Sequence, residues 1–144
     1  MKLTVLGSGS TGNAVLIVAG NTRVLVDAGL SAKEIARRLA MVGEDAQRLD
    51  GVLVTHEHGG HAGGLRVLLG SVDCPVYISA KTLDAYVSER FNVTSEEPRR
   101  RAKALRDRVE QIESSKDFRI GEIDFHPFTI PHDAVDNFGF TATH

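Results

Sequence analysis

The chain has 144 residues, 42% hydrophobic and 25% charged, with a formal net charge of −2. These values fit one ordinary globular domain, read as spanning residues 1–144, and exclude a globally basic nucleic-acid binder. Cys74 is the one cysteine, which excludes a disulfide framework and points to a reducing, cytoplasmic setting. No run of about 18 apolar residues is present, so no membrane partner is expected.

Three short apolar runs open the chain: Leu3–Leu6, Ala14–Val18 and Arg23–Val26, each rich in β-branched residues and bounded by turn formers. They predict three strands, with Gly20-Asn21 as a tight hairpin between the second and third. Ser31-Ala32-Lys33-Glu34 fits a capping box, and Ile35, Leu39 and Val42 follow at helical spacing up to Gly43. Val52-Leu53-Val54 has no polar alternation and predicts a strand buried on both faces, running straight into His56. A short helix follows around Leu65, Leu68 and Leu69, then a strand over Val76–Ile78 and a helix over Ala80–Arg90. The segment from Pro98 to Arg108 is strongly basic. From Arg119 to Ile130 the pattern alternates, Ile123 and Phe125 on one face and Glu122, Asp124 and His126 on the other, which predicts a strand with one wet face. Phe138 and Phe140 begin a last strand. Strands first, then strands alternating with helices, give an α/β (α+β) fold with a mixed sheet.

The chemistry concentrates in His56-Glu57-His58-Gly59-Gly60-His61. On an extended chain, residues two apart point to the same side, so His56 and His58 can face one ion. The two glycines let His61 swing back toward the same place. Neutral imidazole suits zinc, iron, nickel or copper, and the C-terminal end of a buried strand is where α/β folds place their ligands. Three histidines in this pattern arise by chance in a chain of this kind about once in a hundred.

Thr55 to His61 resembles the His-x-His-x-Asp-His signature of the metallo-β-lactamase superfamily. Leu6–Asn13, Leu25–Gly29 and Ile130–Ala134 are similar to its bacterial WalJ/YycJ-like branch. The resemblance implies an αββα sandwich, of which this chain carries the N-terminal half to two-thirds. It implies a metal-dependent hydrolase of phosphodiester bonds, exonuclease-like on DNA, with zinc as the cofactor. His56, His58 and His132 match the first metal position and His61 a ligand of the second. Gly60 stands where the signature has its aspartate, which in the family binds the second metal and helps orient the attacking water. The family also continues past a strand like Phe138–Thr143 to a further aspartate and histidine. The resemblance therefore implies one ion and impaired activity. An inert binding or structural module of the same fold is the rival from another class; a hydrolase of small esters or thioesters is the rival within hydrolases.

Other residues carry paired readings. Asp133 can bond the far nitrogen of His132 or stay in solvent. Asp27 is either a carboxylate beneath the metal site or a turn residue accepting its own amides. Arg99, Arg100, Arg101 and Lys103, with Arg106 and Arg108, either track nucleic-acid phosphates or form a solvated helix face. Gly7 to Asn13 lacks the lysine of a phosphate loop, and its glycines instead let it pass close to the metal mouth. His126 belongs to solvent, His144 to the chain end and Cys74 to packing. Half of a sandwich would leave an apolar face and an open strand edge uncovered, so a homo-oligomer is expected.

Overall fold

The computed structural model describes residues 1–91 and 94–144. Among the described residues, nine strands and five α-helices follow one another as β1 (Lys2–Gly7), β2 (Ala14–Ala19), β3 (Thr22–Val26), α1 (Ala32–Met41), β4 (Gly51–Leu53), α2 (Gly59–Ala62), α3 (Leu65–Leu68), β5 (Val76–Ile78), α4 (Ala80–Arg90), α5 (Glu96–Arg106), β6 (Val109–Gln111), β7 (Phe118–Ile120), β8 (Ile123–Thr129) and β9 (Phe138–Thr143). The first six strands form a mixed sheet in chain order, β1-β2-β3-β4-β5-β6, antiparallel as far as β3 and parallel from there on. The last three form a separate antiparallel sheet, β7-β8-β9.

Alternation along the central strands divides their apolar residues between two cores. Leu16, Leu25 and Val52 join Ile35, Leu39, Leu65, Leu68 and Tyr86 of the helices. Their neighbours Ile17, Val24 and Leu53 turn the other way and meet Ile120, Ile123, Phe125 and Phe138 of the second sheet. Helices, mixed sheet and antiparallel sheet thus stack as three layers of the expected sandwich. The sequence suggests one set of strands and a final strand, Phe138 to Thr143, with the facing sheet missing. The structure corrects this, because the second sheet buries Ile123 and Phe125 against the first.

Local chemistry explains most boundaries. Ala19 pairs with Thr22 across Gly20, whose φ of +55° makes the two-residue hairpin turn. The Glu34 amide donates to Ser31 Oγ at 3.2 Å and caps α1. The other half of the expected capping box is absent, because the Glu34 carboxylate accepts from Arg37 and Arg38 instead. Only Ile35 and Leu39 of α1 are buried; Val42 is the C-terminal cap and lies exposed. The stretch expected as one strand over Arg119–Ile130 is a hairpin, β7 and β8, turned by Gly121 at φ +54°. Within β8 the expected alternation holds, with Ile123 and Phe125 buried and Asp124 and His126 exposed.

Candidate metal centre

His56 follows β4 at the carboxyl end of the parallel strands, where the buried backbone opens into a loop. It is 4% exposed, and its Nε2 is buried without a hydrogen-bond partner. Such an orphaned nitrogen is costly unless a ligand takes its lone pair. Its other ring nitrogen lies 2.9 Å from the Thr55 hydroxyl. His58 and His132 complete a near-equilateral arrangement, with ring centroids 4.8 Å (His56–His58), 4.8 Å (His56–His132) and 4.9 Å (His58–His132) apart. One nitrogen from each of the three lies within 4.8 Å of the others. Zinc bonds of about 2.0–2.1 Å require tetrahedral nitrogens roughly 3.4 Å apart, so small rotations close the set around one ion. Burial, followed by repulsion from His61, pulls the His56 imidazole down to about 4. It is therefore neutral near pH 7, the form that binds a metal.

His132 reaches the site from the loop between β8 and β9, far along the chain. Three contacts hold that loop in place, one of them the Ser79 hydroxyl donating to Asp136 Oδ2 at 2.9 Å. The Phe138 amide donates to the Thr55 carbonyl at 3.2 Å, and the Val135 amide donates to Glu57 Oε1 at 3.1 Å. Glu57 is buried, with Oε2 unpartnered, and sequence reasoning passed over it. The available signal was parity: between His56 and His58 on extended chain, its side chain points away from them and into the protein.

His61 stands beside the trio, 4.0 Å from His56 by ring centroids, but it is engaged otherwise. Its Nδ1 lies 2.6 Å from Asp27 Oδ2 and its Nε2 3.3 Å from Asn13 Nδ2. The trio without His61 is the set positioned for one ion among the described residues. Asp27 is buried, at a φ of +63° that aspartate tolerates better than most residues. Its carboxylate accepts from the Thr55 amide and hydroxyl, both at 2.8 Å, as well as facing His61. The Asp27 carboxylate thus reaches across to Thr55 and His61, on the segment that carries the histidines. Asp133 is 83% exposed, with Oδ1 3.1 Å from His132 Nδ1 and 3.9 Å from His58 Nε2.

The glycine-rich loop does come to the metal mouth. Gly9, Ser10 and Asn13 line a cavity of about 460 Å³ together with the four histidines and Gly60. Asn13, a residue the sequence did not flag, donates twice to the Gly60 carbonyl, from its amide at 2.7 Å and from Nδ2 at 3.0 Å. Gly29 completes the seam: its amide donates to the Asn13 carbonyl, and a Cβ there would come within 1.8 Å of the Gly60 oxygen. The basic run lies on α5, with Arg108 just beyond its end, outside this cavity. Arg101 pairs with Glu97, Lys103 with Asp107 and Arg106 with Asp84. Arg108 donates to the carbonyls of Leu69, Val72 and Cys74, and so holds structure together. Arg99 and Arg100 are exposed.

The chain matches the family model described as metallo-beta-lactamase superfamily over residues 7–142. It is 33% identical over 134 residues to exodeoxyribonuclease WalJ of Streptococcus pneumoniae, a match covering 93% of this chain and 46% of that protein. It is 32% identical over 136 residues to exodeoxyribonuclease YycJ of Bacillus anthracis, covering 94% of this chain and 47% of that protein. Among solved structures, Rm3 metallo-beta-lactamase superposes with a TM-score of 0.76 at 18% identity, over 97% of this chain and 53% of that one. The chain spans about half the length of the curated relatives it matches. From the glycine-rich loop to the final strand, sequence and architecture agree, and the chain belongs to the metallo-β-lactamase superfamily.

Proposed function

We propose that this chain serves a metal-dependent hydrolase of phosphodiester bonds, exonuclease-like on DNA and cytoplasmic, with one zinc ion held by His56, His58 and His132. The observation that carries the metal is the buried, unpartnered Nε2 of His56 facing two further imidazoles. The substrate rests on the two relatives named as exodeoxyribonucleases. Zinc supplies Lewis acidity, acidifying water and polarising a phosphoryl oxygen. The chain's own residues do the positioning. Thr55 fixes the His56 ring through Nδ1, Asp27 fixes Thr55 and His61, and Asp133 sits against His132 Nδ1. His61 lines the cavity, and its Nε2 could turn to metal or substrate only by giving up Asn13 Nδ2. Arg99, Arg100, Arg101 and Lys103 form a screened outer field for the DNA, weakened by the carboxylates that Arg101 and Lys103 already hold.

Gly60 favours a second reading, an inert module of the same fold. No carboxylate comes from that position, and Asn13 occupies the Gly60 carbonyl. One experiment separates the two. Chain dialysed against zinc is analysed for metal and then incubated with end-labelled DNA and, in parallel, with a simple thioester. Stoichiometric zinc with slow mononucleotide release that His132→Ala abolishes supports the hydrolase. Metal-free, inactive protein supports the module, and thioester cleavage without DNA cleavage moves the substrate class.

A further inference from the structure

Arg90 ends α4, and it is exposed. Its guanidinium reaches the turn that carries the metal ligands: Nη2 stands 2.8 Å from where a Cβ on Gly59 would sit. Gly59 follows His58 directly, so its bare Cα is what admits the arginine beside a metal ligand. Arg66, on α3, lies on the same side. Its amide donates to the Tyr86 hydroxyl at 3.0 Å, and the charges of both Arg66 and Arg90 act on that hydroxyl. Beyond them a cavity of about 400 Å³ opens between α3, the end of α4 and α5, with Arg66, Phe91 and Arg101 in its wall. Phe91 is the residue after Arg90, so the cavity begins where the contact with the metal turn ends.

Among the described residues, neither Arg66 nor Arg90 is paired with a carboxylate, in contrast to Arg101, Lys103 and Arg106. The chain as a whole is slightly acidic, so this positive field is local. Planar guanidinium forks match phosphate oxygens in geometry as well as charge.

We propose that Arg90 and Arg66 form a phosphate lane leading away from the metal turn, holding the DNA strand next to the phosphodiester to be cut. The proposal rests on the phosphodiester reading above. Arg90 grips a phosphate beside His58 and Gly59, and Arg66 one further along, at the mouth of the cavity. Both are positioning residues; neither belongs to the histidine trio.

The test is fluorescence anisotropy with a labelled single-stranded oligodeoxynucleotide at salt concentrations between about 50 and 200 mM, with zinc content and thermal unfolding measured on every variant. Each phosphate neutralised contributes about 0.7 to the slope of log K against log salt on a single strand. Arg90→Ala is expected to flatten the slope by about 0.7 and the double change with Arg66→Ala by about 1.4, evenly across sequences and with zinc content unchanged. Arg119→Ala, on β7 and paired with Asp124, is the control and leaves the slope alone. Should Arg90→Ala lose zinc or unfold, Gly59→Ala carries the test, because the added Cβ displaces the guanidinium while Arg90 remains; the same flattening is expected. Salt-dependent binding that none of these variants alters overturns the lane and leaves the phosphodiester reading standing. No salt-dependent DNA binding by the unchanged chain overturns both. Displacement by inorganic phosphate as effective as by oligonucleotide overturns the lane in favour of a single-anion site.

Discussion

Replacing Asp27 by alanine tests the foundation of the metal site. The carboxylate accepts from the Thr55 amide and hydroxyl, both at 2.8 Å, and from His61 Nδ1 at 2.6 Å; its removal strands the amide and the imidazole, whereas the hydroxyl keeps its contact with His56 Nδ1. An orphaned buried donor costs about 1–3 kcal/mol. The Thr55 amide lies in the middle of that range, about 2 kcal/mol, whereas His61, with its side chain 30% exposed, finds water and falls at the low end, about 1 kcal/mol. Alanine at a φ of +63° adds about 1 kcal/mol that aspartate largely avoids. The sum, about 4 kcal/mol, is a large part of the stability of an ordinary domain and corresponds to a melting temperature lower by about 10 °C. Asp27→Asn keeps an acceptor for the Thr55 amide and tolerates the backbone, so it is expected to lose about 1 kcal/mol only. Both changes loosen Thr55 or His61, and zinc affinity should fall about 10- to 100-fold for alanine, less for asparagine. Thermal unfolding in the presence of a chelator isolates the first effect, and competition against a chromophoric chelator measures the second. An alanine variant melting within about 2 °C of the unchanged chain and binding zinc as tightly would refute the reasoning.

Gly60→Asp is expected to raise zinc affinity or occupancy above one ion per chain, because the nearest atoms a Cβ there meets are the Ser10 carbonyl oxygen, at 3.1 Å, and Asn13 Nδ2, at 3.7 Å, which leaves it room. Elemental analysis checks it; unchanged uptake would count against aligning Gly60 with the family's aspartate, and two tightly held ions in the unchanged chain would count against a mononuclear site. Burial pushes the Cys74 thiol up to about 11, so a disulfide reagent at pH 8 should leave it unmodified until the chain is denatured. The unfolded thiol ionises first, at about 8.5, so the contribution of Cys74 to stability is complete below that pH and is lost as pH rises through about 11. Self-association is expected through the uncovered edges, where Leu3 and Val5 of β1 are 62% and 58% exposed and β9 pairs on one side only. Sedimentation of a monodisperse monomer at high concentration would remove that expectation.

The elements that the sequence disclosed are those whose signals are local. The hairpin at Gly20-Asn21, the cap at Ser31 and the bounds of α4 each depend on a few adjacent residues. Strand β6 was not legible because Val109, Glu110 and Gln111 form a half-exposed edge after an arginine-rich helix, with no alternation to betray them. The break at Gly121 shows only as a flip of parity, from inward Phe118 and Ile120 to inward Ile123 and Phe125, and a three-residue β7 offers too short a run for that flip to stand out. In the site, His56 and His58 were readable from spacing alone. The place of His132 depends on contacts spanning many residues, Val135 to Glu57 and Phe138 to Thr55, which no local pattern announces. Asn13 and Glu57 escaped for the same reason, since their importance lies in partners remote along the chain.

The strand order of the large sheet has a consequence for how the protein is made. Because each strand pairs with its neighbour in sequence, from β1 through β6, this layer can assemble progressively as the polypeptide leaves the ribosome. His56 and His58 are in place once β4 has docked on β3, but the third imidazole arrives only with the loop that links β8 to β9. Capture of an ion by the proposed trio would therefore be a late event in biogenesis. A nascent chain stalled before residue 132 would display only two members of the trio, His56 and His58, and would be expected to retain a metal poorly.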